Sequence, residues 1–442
     1  MSKVRPISGF PEWLPSERIV EQHFLDVIRE TFELHGYASI RTRAVEPIER
    51  LTSLGEDTDK EIYAISRLAG GTDDSSREPK LGLHFDLTVP FARYVLENAG
   101  KLTFPFRRYQ IQPVWRGERP QEGRYREFLQ CDIDIVDVGE LAPHYEAELP
   151  LVIADAFSKL PIGPFRIQVN NRKIPEGFYL GMGLTDVTSV LRIVDKLDKI
   201  GPGKVSDLLQ AAGATAEQAK GCLALAEISA PDESFVERVN ALGVEHQTLT
   251  EGLAELAAVI RVGAAHAPGL MVADLKVARG LDYYTGTVYE TQLIGQESYG
   301  SICSGGRYDA LASDGKTTYP GVGISIGLSR LLAKIMPSLS ASRSTPSCVL
   351  VSLADDTDRA QGMTVAAALR RRGIPCEVAP VAAKFGKQIK FAERRGIPFV
   401  WFPASGDQSN DSVKDIRTGD QTAADASSWL PPAADLWPRV VA

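Results

Sequence analysis

Arginines set among carboxylates, amides and aromatic rings are the groups in this sequence best suited to chemistry. They are densest at residues 104–134, FPFRRYQIQPVWRGERPQEGRYREFLQCDID. Alternation predicts two strands joined by a charged loop. In the first, Gln112, Val114, Arg116 and Glu118 share a face, with Tyr109, Ile111 and Trp115 on the other. In the second, Phe128, Gln130, Asp132 and Asp134 lie opposite Cys131, Ile133 and Ile135. Pro120 and Gly123 supply turn chemistry to the loop, and Arg124 and Arg126 supply positive charge. A solvated face of an antiparallel sheet is the plain reading. Yet charged groups are costly to bury without partners, and a face holding a phosphate-type donor, acceptors and a stacking ring suits a nucleoside triphosphate lying across a sheet.

Four further strings carry similar groups. HFDLTVPFARY places Asp86 and Thr88 at a strand end, with Thr88 as candidate N-cap and Pro90 in the first helical turn. RGLDYYTG, from Arg279 to Gly286, brackets an arginine and two tyrosines with glycines; its plain reading is a bulged edge strand. SICSGGRY ends on Tyr308 and alone is compatible with a simple turn. YPGVGISIGLSRLL reads as strand, glycine, helix, with Arg330 in the helix.

Together these strings resemble a known family. RGERPQEGRYREFLQCDID is similar to motif 2 of class II aminoacyl-tRNA synthetases in the form found in histidyl-tRNA synthetases. RGLDYY resembles a motif specific to the histidyl enzymes, and the Arg330 segment resembles motif 3. The similarity runs from about Gly36 to Ile416. Two departures stand out: Thr42-Arg43 where motif 1 usually has Thr-Pro, and Ser329 where motif 3 commonly has Glu.

The resemblance implies a two-step ligation of L-histidine to tRNA(His), with ATP as substrate, Mg²⁺ accompanying it, and no tightly bound cofactor. By the same resemblance, Arg116 and Arg279 stabilise the reacting α-phosphate and reach the substrate carboxylate. Glu118 and Phe128 position adenine, Gln130 borders the nucleotide, and Arg124 and Arg330 hold the outer phosphates. Asp134 and Tyr284 are the candidates for the imidazole, with Tyr308 closing the pocket and Tyr283 also binding histidine, and Asp86, Thr88 and Gln130 are the candidates for the amino end. The runner-up is a non-catalytic paralogue serving as regulatory subunit of ATP phosphoribosyltransferase. That group generally lacks the C-terminal domain and has eroded motifs. An unrelated nucleotide-binding protein finds no support, since neither a P-loop nor a Rossmann fingerprint is present.

Composition agrees with a soluble globular chain. The sequence has 442 residues, 44% hydrophobic and 24% charged, and predicts two or three domains. It contains no apolar run of about 18 residues, the length of a membrane span, and the N-terminus has no hydrophobic signal region. Five scattered cysteines without a CxxC pair suggest reduced thiols in the cytoplasm. The six histidines have no metal-ligand spacing, so no metal site is expected. A formal charge of -8 argues against general nucleic-acid binding but allows a local basic patch.

The elements that must position these residues read as an α+β chain. Residues 1–335 form a class II antiparallel-sheet catalytic domain, interrupted by a helical insertion at 175–266. The insertion's Lys196, Lys199 and Lys204 read as a solvated face, with contact to tRNA as the lesser alternative. A helix–strand unit at the start, with Ala38–Val45 as the strand, corresponds to motif 1 and implies a homodimer. The Pro/Ser-rich stretch 336–347 reads as a linker. Alternating strands and helices over 348–442 predict a small α/β domain, resembling the family's anticodon-binding domain. There Lys384, Lys387, Lys390 and Arg394 are candidates for tRNA phosphates, although a solvated helix face is the default reading.

Overall fold

The structure is a computed structural model and describes residues 4–52, 61–66, 80–277, 283–405 and 409–441. Two compact units divide the chain: Met1–Pro11 with Val27–Lys334, and Glu12–Asp26 with Ile335–Ala442. Helix α1, Pro15–Leu34, spans that division. Its i, i+4 stripe of Val20, Phe24, Ile28 and Phe32 is buried throughout.

The first unit is built on a mostly antiparallel sheet. Its strands are β1 (Ala38–Ser39), β5 (Phe106–Trp115), β6 (Glu127–Val136), β7 (Phe165–Asn171), β8 (Ser229–Ala230), β9 (Met271–Asp274), β10 (Thr287–Leu293), β11 (Cys303–Tyr308) and β12 (Gly321–Gly327). Their spatial order is β1-β5-β6-β12-β11-β10-β7-β9-β8. Cys131, Ile133 and Ile135 form an apolar face of β6, as alternation predicts. On the helical side, α3 (His144–Ser158) packs against β12, and α9 (Gln247–His266) against β7 and β9. Buried Tyr289 donates to the Glu146 carbonyl at 2.6 Å, tying β10 to α3.

A smaller sheet of β2 (Val45–Pro47), β3 (Ala64–Ile65) and β4 (Leu81–Leu83) leads into α2, Thr88–Asn98. The single strand expected over Ala38–Val45 is therefore two short pieces in different sheets. Here Arg93 of α2 clasps buried Glu46 of β2 with Nη2 at 2.8 Å and Nε at 3.0 Å. This buried pair ties α2 to the smaller sheet, and residues 84–87 connect β4 to α2.

Between β7 and β9 the chain runs through α4 (Lys173–Gly181), α5 (Val187–Val194), α6 (Leu197–Ala211), α7 (Ala216–Ala226), the short strand β8, which pairs with β9, α8 (Ser234–Asn240) and α9. The outermost two, α4 and α9, pack on each other, and α9 also lies on α3 and the sheet. After β12 comes α10, Leu328–Ile335.

In the second unit, β13 (Ser340–Ala341) pairs with β19 (Val440–Val441). Arg343 is buried and donates to the carbonyls of Thr345, Pro346, Asp435 and Leu436. The stretch 336–347 is thus more ordered than its Pro/Ser composition suggests, because one arginine satisfies four carbonyls across it. The sheet runs β15 (Cys376–Val378), β14 (Val349–Val351), β16 (Phe399–Phe402), β17 (Ser412–Asp415), β18 (Gln421–Ala423). It is parallel across β15, β14 and β16, then antiparallel. Helices α11 (Arg359–Arg371) and α12 (Phe385–Arg395) complete it.

Candidate active site

Strand register assembles one polar face from three strands. Across β5 and β6, Arg108 pairs with Asp134, Gln110 with Asp132, Gln112 with Gln130 and Val114 with Phe128. Across β6 and β12, Asp134 faces Gly323, Asp132 faces Ser325 and Gln130 faces Gly327. Directly opposed residues share a face, so arginine, amides and carboxylates sit side by side. The small residues of β12 leave the space above them open. A Cβ added at Gly323 would lie 2.0 Å from Asp134 Oδ1, and one at Gly321 would enter the Tyr308 ring.

Asp134 is the centre of this face. Its Oδ2 takes a 2.6 Å ion pair from Arg108 Nη2, and its Oδ1 accepts from the Tyr308 hydroxyl at 2.8 Å. Arg108 is fully buried, donates to Gln110 Oε1, and lies 4.3 Å over the Phe91 ring. Tyr283 packs edge-on to Tyr284 at 4.7 Å and to Tyr308 at 6.1 Å. Thr88 hydrogen-bonds Tyr283. Sequence reasoning expected Thr88 to cap α2. The cap comes instead from Asp86, whose Oδ1 accepts from the Val89 amide at 3.1 Å, while Thr88 serves the tyrosine.

Burial pushes Asp86 and Asp134 up to about 7 and Asp132 up to about 6, with Arg108 and Arg116 pulling the other way. These three carboxylates also repel one another, so they titrate as a set. The face therefore favours a cationic guest.

The hairpin loop forms the second half of the site. β5 ends at Trp115, so Arg116 and Glu118 lie beyond the strand rather than on its face, where alternation placed them. Arg116 donates Nε to the Phe85 carbonyl at 3.0 Å and holds its guanidinium 5.1 Å from the Phe128 ring. Glu118 stands between two arginines, 3.9 Å from Arg116 and 3.2 Å from Arg124. Anions arriving here would replace Glu118 as their partner. Adenine stacked on Phe128 would use the ring face that Arg116 leaves open, or move the guanidinium.

Arg330 joins from α10. The Leu129 amide donates to Ser329 Oγ at 2.9 Å, bringing the start of α10 alongside the Phe128 end of β6. Ser329, unusual in sequence, thus acts as a brace. Arg330 sits 4.7 Å over the Tyr299 ring and donates to the Tyr299 carbonyl; the Tyr299 hydroxyl returns a 2.7 Å bond to the Arg330 carbonyl. That hydroxyl also abuts Gly123 of the hairpin loop, where a Cβ would be 1.7 Å away.

Of the candidate residues, Arg116, Glu118, Arg124 and Phe128 form one group, and Asp86, Thr88, Asp134, Tyr283, Tyr284 and Tyr308 another. Gln130 lies on the shared floor, donating Nε2 to Ser325 Oγ at 2.7 Å. Arg279 lies outside the described residues. Lys384, Lys387, Lys390 and Arg394 are in the second unit, exposed at and along α12. Sequence reasoning missed Arg108, Ser325 and Tyr299, and gave Asp132 a face but no role. Arg108 could have been found by extending the alternation of β5 backwards; Ser325 and Tyr299 needed tertiary contacts.

Comparison with known proteins agrees across the whole chain. A family model described as histidyl-tRNA synthetase matches residues 9–331. The chain is 60% identical to a histidine–tRNA ligase of Micrococcus luteus, covering 100% of this chain and 99% of that one. It is 59% identical to that of Cutibacterium acnes, with 100% and 99% covered. A crystal structure of histidyl-tRNA synthetase from a Nostoc species aligns with a TM-score of 0.84 at 34% identity, over 96% of this chain and 98% of that chain.

Proposed function

The chain belongs to the histidyl-tRNA synthetase family, and from that premise we propose how its residues divide the work of a histidine–tRNA ligase. The enzyme is ATP-dependent and joins histidine to tRNA. Relatives near 60% identity over their full length carry this activity in their names, which favours it over the regulatory-subunit reading.

In the first step the histidine carboxylate attacks the α-phosphorus of ATP, and pyrophosphate leaves. Charge gathers on the α-phosphoryl oxygens, and fixed cations lower the barrier when they hold that charge more tightly than the ground state. Arg116 is the donor on this flank, already anchored by the Phe85 carbonyl; Arg279 is assigned the same role by resemblance. Arg124 and Arg330 receive the outer phosphates, with Glu118 and Phe128 at the adenine. In the second step the terminal ribose hydroxyl of tRNA attacks the acyl carbon, releasing AMP and a proton.

The Arg108–Asp134–Tyr308 linkage carries the histidine assignment. It holds a carboxylate and a phenol at hydrogen-bonding distance in a buried pocket, a pairing suited to an imidazole that both donates and accepts. Such a site rejects apolar analogues by roughly 10⁴ or more. Mg²⁺ enters with the triphosphate. No group of three His, Cys, Asp or Glu is placed to hold a metal among the described residues, so phosphate oxygens would supply most of its ligands.

Histidine-dependent ATP–pyrophosphate exchange tests the reading. Arg116→Ala and Arg279→Ala should each lower it by roughly a hundredfold or more, about 3 kcal/mol, with the fold unchanged. Wild-type exchange without histidine, or full exchange by either variant, would refute the assigned roles. A cytoplasmic homodimer completes the proposal. It rests on the family resemblance and, for the compartment, on five free, buried cysteines; a monomer in sedimentation would exclude the dimer.

A further inference from the structure

Three acceptor atoms on the polar face have no hydrogen-bond partner among the described residues: Asp86 Oδ2, Gln130 Oε1 and Asp132 Oδ1. Their residues are only 3%, 8% and 2% exposed. Buried acceptors left unpaired are costly and uncommon, and three around one pocket ask for a ligand.

Each is aimed by bonds to the rest of its side chain. Asp86 Oδ1 is fixed by the Val89 amide. Gln130 Nε2 donates to Ser325 Oγ, which fixes the amide and leaves Oε1 as its unpartnered end. Ser325 stands opposite Asp132 across β6 and β12 and hydrogen-bonds its carboxylate. One hydroxyl therefore orients two acceptors. Gln130 and Asp132 lie two residues apart on one strand face, about 7 Å between Cα atoms. Asp86 is close enough for its carboxylate to feel both Asp132 and Arg116.

The neighbours of Asp132 distinguish it from Asp134. Asp134 has both oxygens engaged, by Arg108 and Tyr308. Asp132 faces Gln110, whose amide nitrogen is already committed to Thr42 and Gln112 and whose oxygen accepts from Arg108. Asp132 thus has an oxygen with no donor at all, whereas each oxygen of Asp134 already holds one donor and keeps a further lone pair for the ring. An ammonium has three N–H donors and no acceptor, and of the groups on histidine and ATP only the α-ammonium has that character.

We propose that Asp132 is a further substrate-binding residue, completing with Asp86 and Gln130 a three-acceptor seat for the α-ammonium of histidine, and that Ser325 is the positioning residue that aims Gln130 and Asp132 at it. This deepens the ligase reading and rests on it. Burial holds both carboxylates above their ordinary range, so each gains by receiving a cation. Among the described residues the pocket sets Asp86, Asp132 and Asp134 against Arg108 and Arg116, and an ammonium closes that difference.

The test uses the full chain and two probes: histidine in ATP–pyrophosphate exchange, and 3-(imidazol-4-yl)propanoate, which keeps ring and carboxylate but lacks the ammonium, as inhibitor. Asp132→Asn should raise KM for histidine roughly ten- to hundredfold while leaving the inhibition constant of the deamino compound within about threefold. Asp134→Asn, acting on the ring, should weaken both. Ser325→Ala should raise histidine KM with little change in kcat, and Ser325→Thr, which keeps the hydroxyl, should recover part of the loss. An unchanged histidine KM in Asp132→Asn, or equal losses for both probes, would overturn the proposal. If that variant does not fold, Ser325→Ala decides by the same two probes. Absence of histidine-dependent exchange in the wild type would instead overturn the ligase reading itself.

Discussion

At the scale of single residues, the site is governed by carboxylates that burial makes reluctant to ionise. Asp86, Asp132 and Asp134 rise from an ordinary 3.8 to between about 6 and about 7. The native state therefore holds more protons than the unfolded chain between about pH 4 and pH 7. Their contribution to the stability of the unliganded protein is full below the unfolded value and is lost as pH rises through that window. Histidine binding has the opposite sign, because its cation prefers the ionised acceptors. KM for histidine should fall as pH rises from 6 to 7, by up to about tenfold per proton displaced. Free histidine's own ring titrates near 6.5 in the same range, so the diagnostic is the difference between wild-type and Asp86→Asn profiles. Identical slopes would show that the pocket carboxylates do not titrate on binding.

At the scale of elements, β12 matters for what it lacks. Its pocket-facing positions are Gly321, Gly323, Ser325 and Gly327, and the missing side chains are the volume of the pocket floor. Gly323 has no unusual backbone demand, since it is absent from the positive-φ glycines. Gly323→Ala should therefore fold, yet its methyl would displace Asp134. A shift of about 1 Å at a binding group can cost on the order of a hundredfold. Loss of that size in kcat/KM for histidine, with a lowered melting temperature because the methyl overpacks a buried ion pair, is the expected outcome of exchange and melting measurements. Element-scale contacts also explain two misreadings from sequence. Alternation carried β5 through Glu118, but pairing with β6 stops at Trp115 opposite Glu127. Helix-start rules favoured Thr88, but the preceding turn delivered Asp86 to the Val89 amide.

At the scale of the whole molecule, chemistry and the basic helix belong to different units. Lys387, Lys390 and Arg394 follow i, i+3, i+7 spacing on the exposed side of α12, while Gln388 and Ala392 are buried. The chain's net charge is -8, so this patch is a local reversal of sign. Replacing the three by glutamate should leave amino-acid activation intact, raise KM for tRNA in charging assays, and flatten the salt dependence of tRNA binding. Unaltered charging would remove α12 from the tRNA surface. Charge reversal is cleaner than truncation at 336–347, because Glu12–Asp26 of α1 groups with the second unit. Truncation there would leave Glu12–Asp26, which includes buried Val20 and Phe24, without the rest of its unit.

What the sequence determined by itself was the identity of the parts. Period-two alternation separated the Cys131, Ile133, Ile135 face from the Gln130, Asp132, Asp134 face, and the arginine-rich strings pointed to phosphate chemistry and, through the family they resemble, to histidine. Alternation says which side of a strand a residue occupies but not which strand lies beside it. Only the tertiary structure set Arg108 against Asp134 and Ser325 against Asp132, since those neighbours come from pairings that span from 26 to 193 positions along the chain. Register converts a list of polar residues into charges and acceptors at fixed distances, and those distances decide which carboxylate is already paired and which still waits for a cation.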